Sequence, residues 1–140
     1  MAINDLADSA FNEVIGFDIG EWRENYVELL LTLKSMHLNR SGVVHGGVLA
    51  ALIDAAGGFA GCYCTVPGNV RRGLTLSMTT QFTGQASSGT IKAIGRRRAG
   101  GRKIFFSDVE IVNESGDLIA MGQCTYRYRS GSETSAGSPA

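Results

Sequence analysis

Residues 43–64, VVHGGVLAALIDAAGGFAGCYC, read as the one long helix of the chain, and this helix is apolar on nearly every side. A helix without a polar face belongs in an interior. Ala50, Ala51, Ala55, Ala56, Gly57, Gly58, Ala60 and Gly61 keep it thin, although each interior glycine costs up to about 1 kcal/mol relative to alanine. Something must therefore wrap it closely. Asp54 stands alone in this setting, and a buried carboxylate without a partner is expensive.

Outward from the helix the pattern turns to strands. Residues 17–22 and 26–34 form a first pair, with Val27, Leu29, Leu31 and Leu33 alternating against Glu28, Thr32 and Lys34, and Arg23, Glu24 and Asn25 making the turn. After the helix come four more, at 73–82, 90–97, 103–113 and 118–129. In the first of these Leu74, Leu76, Met78, Thr80 and Phe82 alternate with Thr75, Ser77, Thr79 and Gln81, the signature of an antiparallel strand with one buried face. Asn113, Glu114, Ser115, Gly116 and Asp117 mark the last hairpin. At the start, Asn4 or Asp5 caps a short packing helix that carries Leu6, Ala10, Phe11 and Val14 and ends by Gly16. The serine- and glycine-rich residues 130–140 have no periodicity and are expected to be disordered. The prediction is one α+β domain over residues 1–129, in which a curved antiparallel sheet of about six strands encloses the long helix. Such a sheet has an exposed edge, which pairing with a second copy protects.

Composition narrows the partners. A chain of 140 residues suits one domain. Its 13 basic and 13 acidic side chains balance, which argues against reliance on nonspecific attraction to nucleic acid or an anionic membrane surface. No apolar run approaches the roughly 20 residues needed to span a bilayer, and no leader pattern is visible at the start, so a cytoplasmic location is expected. Cys62, Cys64 and Cys124 make neither a disulfide framework nor a zinc pattern; they read as packing residues, and no metal is expected.

The chemistry concentrates at the two ends of one helical segment. His45, Gly46 and Gly47 stand at the helix start, where backbone N–H groups lack intrahelical acceptors and the dipole is positive. A carbonyl placed there would have its developing oxyanion met by a fixed donor, although the glycines could equally serve only a tight turn. Asp54 suits a general base or nucleophile beside a pocket, or else a structural carboxylate bonded to a neighbouring strand or an arginine. Gly46 and Asp54 are eight positions apart, about 12 Å along the axis. One carbonyl cannot touch both on the same helix, so if both act on the same carbonyl, the carboxylate comes from a second chain. His37 reads as an exposed loop residue. Arg96, Arg97, Arg98, Arg102 and Lys103 flank the turn Ala99, Gly100, Gly101, either as a solvated hairpin tip or as a place to hold phosphates.

Asn39, Gly42, His45, Gly46, Gly47 and Asp54 in this spacing resemble the signature of the PaaI-like hotdog acyl-CoA thioesterases, with similarity from about Phe11 to Tyr128. The resemblance implies an enzyme that hydrolyses an acyl- or arylacyl-CoA thioester to free acid and CoA. It implies Gly46 as oxyanion donor, Asp54 as base or nucleophile, and Asn39 and His45 as supports for thioester and water. Thr75 corresponds to a hydroxyl directed at the water, with Ser77 as its rival. The resemblance also implies CoA contacts at Gly47 and at Arg98, Arg102 or Lys103. The acyl-CoA substrate is the expected partner, and no cofactor is expected beyond the CoA that it carries. The expected assembly is a homodimer that completes the active site, paired again into a dimer of dimers (homotetramer). Two other readings stand beside this one. A noncatalytic acyl-CoA-binding or sensing domain would not need Asp54, and an enoyl-thioester hydratase would carry a GD-x-N-P-x-H type signature that is missing here.

Overall fold

The computed structural model describes residues 9–140. A short helix α1 (Ala10–Ile15) leads into strands β1 (Asp18–Arg23) and β2 (Tyr26–Thr32), then a 3-10 turn (Ser35–His37) and the long helix α2 (Gly46–Gly61). Strands β3 (Asn69–Val70), β4 (Gly73–Phe82), β5 (Thr90–Gly100), β6 (Ile104–Val112), β7 (Leu118–Tyr128) and β8 (Ser138–Pro139) follow. Six of them form one antiparallel sheet in the order β1-β2-β5-β6-β7-β4, so the connection through α2 carries the chain from one edge of the sheet to the other.

The sheet curls around α2, and the core lies between its concave face and Leu49, Leu52, Ile53 and Ala56 of the helix. Close approach explains the thinness of α2. A Cβ on Gly57 would collide with the Tyr126 hydroxyl, and one on Gly61 would collide with the Phe105 ring. The helix is nevertheless not enclosed on every side as its composition predicts. Ala50, Ala51, Asp54, Ala55, Gly58 and Phe59 form a stripe that is only half-buried, because the sheet covers one side of the helix alone.

Other local expectations are redrawn by packing. Ser9 caps α1 by accepting from the Asn12 N–H, and Gly16 closes it in the left-handed conformation (φ 85°). Phe11 and Val14 of that helix are exposed rather than packed, while Asn4, Asp5 and Leu6 lie outside the described residues. His37 is buried, not an exposed loop residue: its Nδ1 accepts from the Lys34 N–H at 3.0 Å and its Nε2 meets the Ile15 carbonyl at 2.8 Å. Residues 130–140, expected to be disordered, pack back on the domain. Asn69 pairs with Pro139 and Val70 with Ser138, and Ser132 is buried. Backbone and serine hydrogen bonds hold this segment, and those leave no trace in hydrophobic periodicity.

Candidate active site

The site begins at the N-terminus of α2. His45 is the N-cap, and its Nδ1 accepts the Gly47 N–H at 2.8 Å. The donor expected at Gly47 is therefore used inside the cap. The Gly46 N–H has no acceptor among the described residues, so it is the donor that remains. The Phe82 ring lies beside Gly46, 3.7 Å from where a Cβ would stand. Asn39 shapes the approach to this end: its Oδ1 accepts from the Ser41 N–H at 2.9 Å and the Val43 N–H at 3.3 Å. That Asx-type turn consumes the oxygen and leaves the side-chain amide as a donor.

Two turns along the helix, Asp54 Oδ1 accepts a hydrogen bond from Thr75 Oγ1 at 2.6 Å. Strand alternation alone puts Thr75 with Ser77 and Thr79, away from Met78 and Phe82. A β-bulge changes this: Thr75 pairs with Tyr126 and Ser77 with Thr125, leaving Leu76 as the extra residue. Because cross-strand partners share a face, Thr75 joins buried Tyr126 on the concave side beside Asp54, and Ser77 is turned outward. Tyr126 fixes the same place from below, since its hydroxyl donates to the Asp54 backbone carbonyl at 2.7 Å. Burial, assisted by Cys124 and Asp54, pushes the Tyr126 phenol far up from its ordinary pKa, so it stays a neutral donor.

Asp54 and Thr75 line a groove of about 470 Å³ with Trp22, Ala51, Ala55, Gly58 and Phe59, and Arg71, Arg72 and Arg129 line it as well. The Trp22 N–H is taken by the Phe59 carbonyl at 2.9 Å, so this wall is apolar in effect. Trp22, Tyr126 and the three arginines were not singled out in the sequence. The only signal was that Trp22 is the sole tryptophan.

The basic run at the β5–β6 hairpin is dispersed. Plain strand alternation, in step with Ala93 and Gly95, carries Arg97 inward opposite Ser107, with its Nε buried, and a second bulge leaves Arg98 as the extra residue outside, 3.5 Å from Asp108. Lys103 lines a cleft that it shares with Arg72, Arg127 and Arg129. Among the described residues no three His, Cys, Asp or Glu side chains are grouped so as to hold a metal ion, and no helix is long and apolar enough to cross a membrane.

Known proteins share this fold. Residues 41–120 match the family model described as the thioesterase superfamily. A Schizosaccharomyces pombe protein named "Putative esterase" is 31% identical over 102 residues, which cover 71% of this chain but only 62% of that protein's length. The crystal structure of a thioesterase from Haemophilus influenzae superposes with a TM-score of 0.80 at 24% identity, covering 91% of this chain and 87% of its own. The Escherichia coli PaaI protein of the phenylacetic acid degradation operon gives 0.78 at 23%, covering 94% and 99%. The family match spans more than half of the chain and both structural likenesses carry the same fold. The chain therefore belongs to the thioesterase superfamily, a family of thioester hydrolases, and has the PaaI-like hotdog fold within it.

Proposed function

We propose that the protein hydrolyses acyl-CoA thioesters to a free acid and CoA, in a site shared by two copies of the chain. The observation that carries this is the Asp54 carboxylate, held by Thr75 at 2.6 Å on the half-buried face of α2 and at the wall of an apolar groove. The Gly46 N–H, unpaired at the start of the same helix, supports the other half of the chemistry. It would stabilise the oxyanion when the thioester carbonyl is attacked, while Asp54 takes a proton from the attacking water or attacks the carbon itself. The C–S bond then breaks, and the thiolate leaves as CoA once protonated; in the second route water then hydrolyses the acyl–Asp54 anhydride, which releases the acid and regenerates the carboxylate.

The separation of the two groups along one helix, about 12 Å, supports an arrangement in which each comes from a different chain. The outer edge of the sheet supports pairing too. Strand β4 ends the sheet, and Leu74, Leu76 and Phe82 on it are 42%, 51% and 54% exposed, an open edge of the kind that association covers. A dimer of dimers and a cytoplasmic location belong to the same proposal.

A panel of aryl, phenylacetyl and straight-chain acyl-CoA esters, followed with a thiol reagent, tests the reading. Release of free CoA thiol is the expected result. Loss of crotonyl-CoA absorbance without thiol release would make the protein a hydratase instead. Tight binding of every ester without turnover would make it a sensing domain.

A further inference from the structure

A second cleft, of about 560 Å³, is lined by Arg72, Lys103, Arg127 and Arg129 together with Ser130, Ser132, Glu133 and Ser138 of the C-terminal segment. The sheet gathers these cations. Arg127 pairs with Leu74 on one side and Ile104 on the other, the Arg129 N–H donates to the Arg72 carbonyl at 2.9 Å, and the Tyr128 N–H donates to the Lys103 carbonyl at 2.8 Å. The ends of three neighbouring strands thus bring four cations to one place. Among the described residues none of the four has an ion pair, in a chain whose formal net charge is zero. They are not consumed in capping α2 either, since the Phe59 and Gly61 carbonyls accept from Trp22 and Tyr128.

The C-terminal segment is built into the same cleft. Ser132, 2% exposed, accepts the Arg72 N–H on its Oγ at 2.8 Å and the Arg71 Nε–H on its carbonyl at 2.8 Å, and it donates its own N–H to the Arg129 carbonyl at 2.9 Å. One buried residue thereby ties together the backbone that carries Arg72 and Arg129. Glu133 lines the cleft with its Oε1 buried and unpaired, and its charge opposes an incoming anion. Arg72 and Arg129 also line the groove of Asp54 and Thr75, so the two cavities share a wall. From Asp54 to the end of α2 at Gly61 is about 10 Å along the axis.

We infer that this cleft holds the phosphate groups of the substrate's nucleotide half, and that Ser132 is a positioning residue for its arginines. The inference rests on the acyl-CoA reading. Phosphates lie in the cleft, and the pantetheine arm runs from it along the shared wall toward Asp54. Guanidinium groups suit phosphate oxygens by geometry as well as charge.

The test is calorimetric titration with adenosine 3′,5′-bisphosphate, alongside kinetics on one acyl-CoA and its N-acetylcysteamine counterpart. The Arg72→Gln/Arg129→Gln double variant, altered only at exposed side chains, should bind the bisphosphate at least about tenfold more weakly and raise KM for the CoA ester more than for the short thioester. Ser132→Ala should weaken binding in the same direction, acting on KM rather than kcat, and Ser132→Thr should restore it. Glu133→Gln should tighten binding. Unchanged bisphosphate affinity in the double variant, or equal losses on both esters, would overturn the inference. So would inorganic pyrophosphate binding as tightly as the nucleotide through the same arginines. If no thioester is hydrolysed while arginine-dependent bisphosphate binding persists, the catalytic reading fails and the cleft stands; hydrolysis at unchanged KM without the arginines sinks the cleft alone.

Discussion

Thr75 and Asp54 meet at 2.6 Å because a single extra residue, Leu76, rotates Thr75 onto the concave face of β4. Removing the hydroxyl should leave the fold intact and disorient the carboxylate. Thr75→Val is expected to lower kcat by about tenfold, the size of one hydrogen bond to a charged group, while Thr75→Ser retains most activity. Ser77→Ala, on the outer face, should match the wild type. Steady-state rates of the three variants decide whether the bulge selects the functional hydroxyl.

Asp54→Asn keeps the shape and the Thr75 contact but cannot accept a proton. We expect kcat to fall by at least about 10²-fold with the melting temperature nearly unchanged. Near wild-type turnover would remove Asp54 from the chemistry. A large drop in melting temperature instead would mark the residue as structural.

Gly57→Ala drives a Cβ into the Tyr126 hydroxyl, which is bonded to the Asp54 carbonyl. Overpacking of this kind costs about 1–3 kcal/mol. Gly101→Ala, where nothing lies within 4 Å, is the control. Urea unfolding should show a lower midpoint for the first variant and no change for the second.

The shared site makes a complementation test possible. Gly46→Pro removes the free N–H at the first helical position, where proline is tolerated, and Asp54→Ala removes the carboxylate. Each homodimer should be nearly inactive. Random exchange makes about half of the dimers hybrid, each with one intact site in two, so activity should return to roughly a quarter of wild type. Confirmed hybrids as inactive as their parents would show that the two groups do not meet across chains.

Burial pushes the Cys62 thiol up to about 12, with Arg71 offsetting a small part. In the unfolded chain the same thiol ionises near pH 9. Between those values the unfolded state has lost a proton that the folded state keeps, so stability is level below about pH 9 and falls as pH rises toward 12, by about 1.4 kcal/mol per unit for this group. Cys62→Ala should flatten that alkaline slope in chemical denaturation measured at several pH values.

The long thin helix, the strand alternation and the turn signals are legible in the residues alone, because these are local properties of residue size, polarity and spacing. The distance that separates Gly46 from Asp54 is legible in the same way, since helical rise is fixed. The remaining features depend on partners remote in the chain. The Leu76 bulge chose Thr75 over Ser77, and its register is set by β7, not by β4. His37 became interior because its two ring nitrogens find the Lys34 N–H and the Ile15 carbonyl. Residues 130–140 gained order from backbone pairing with β3 and from the contacts of Ser132, none of which has a periodic signature. The basic run around Arg98 looked like one site, yet strand alternation and a bulge scattered it, while Arg72, Lys103, Arg127 and Arg129 converged from three strand ends. Hydrogen bonding and packing between distant segments make that choice, and adjacency in sequence does not encode it.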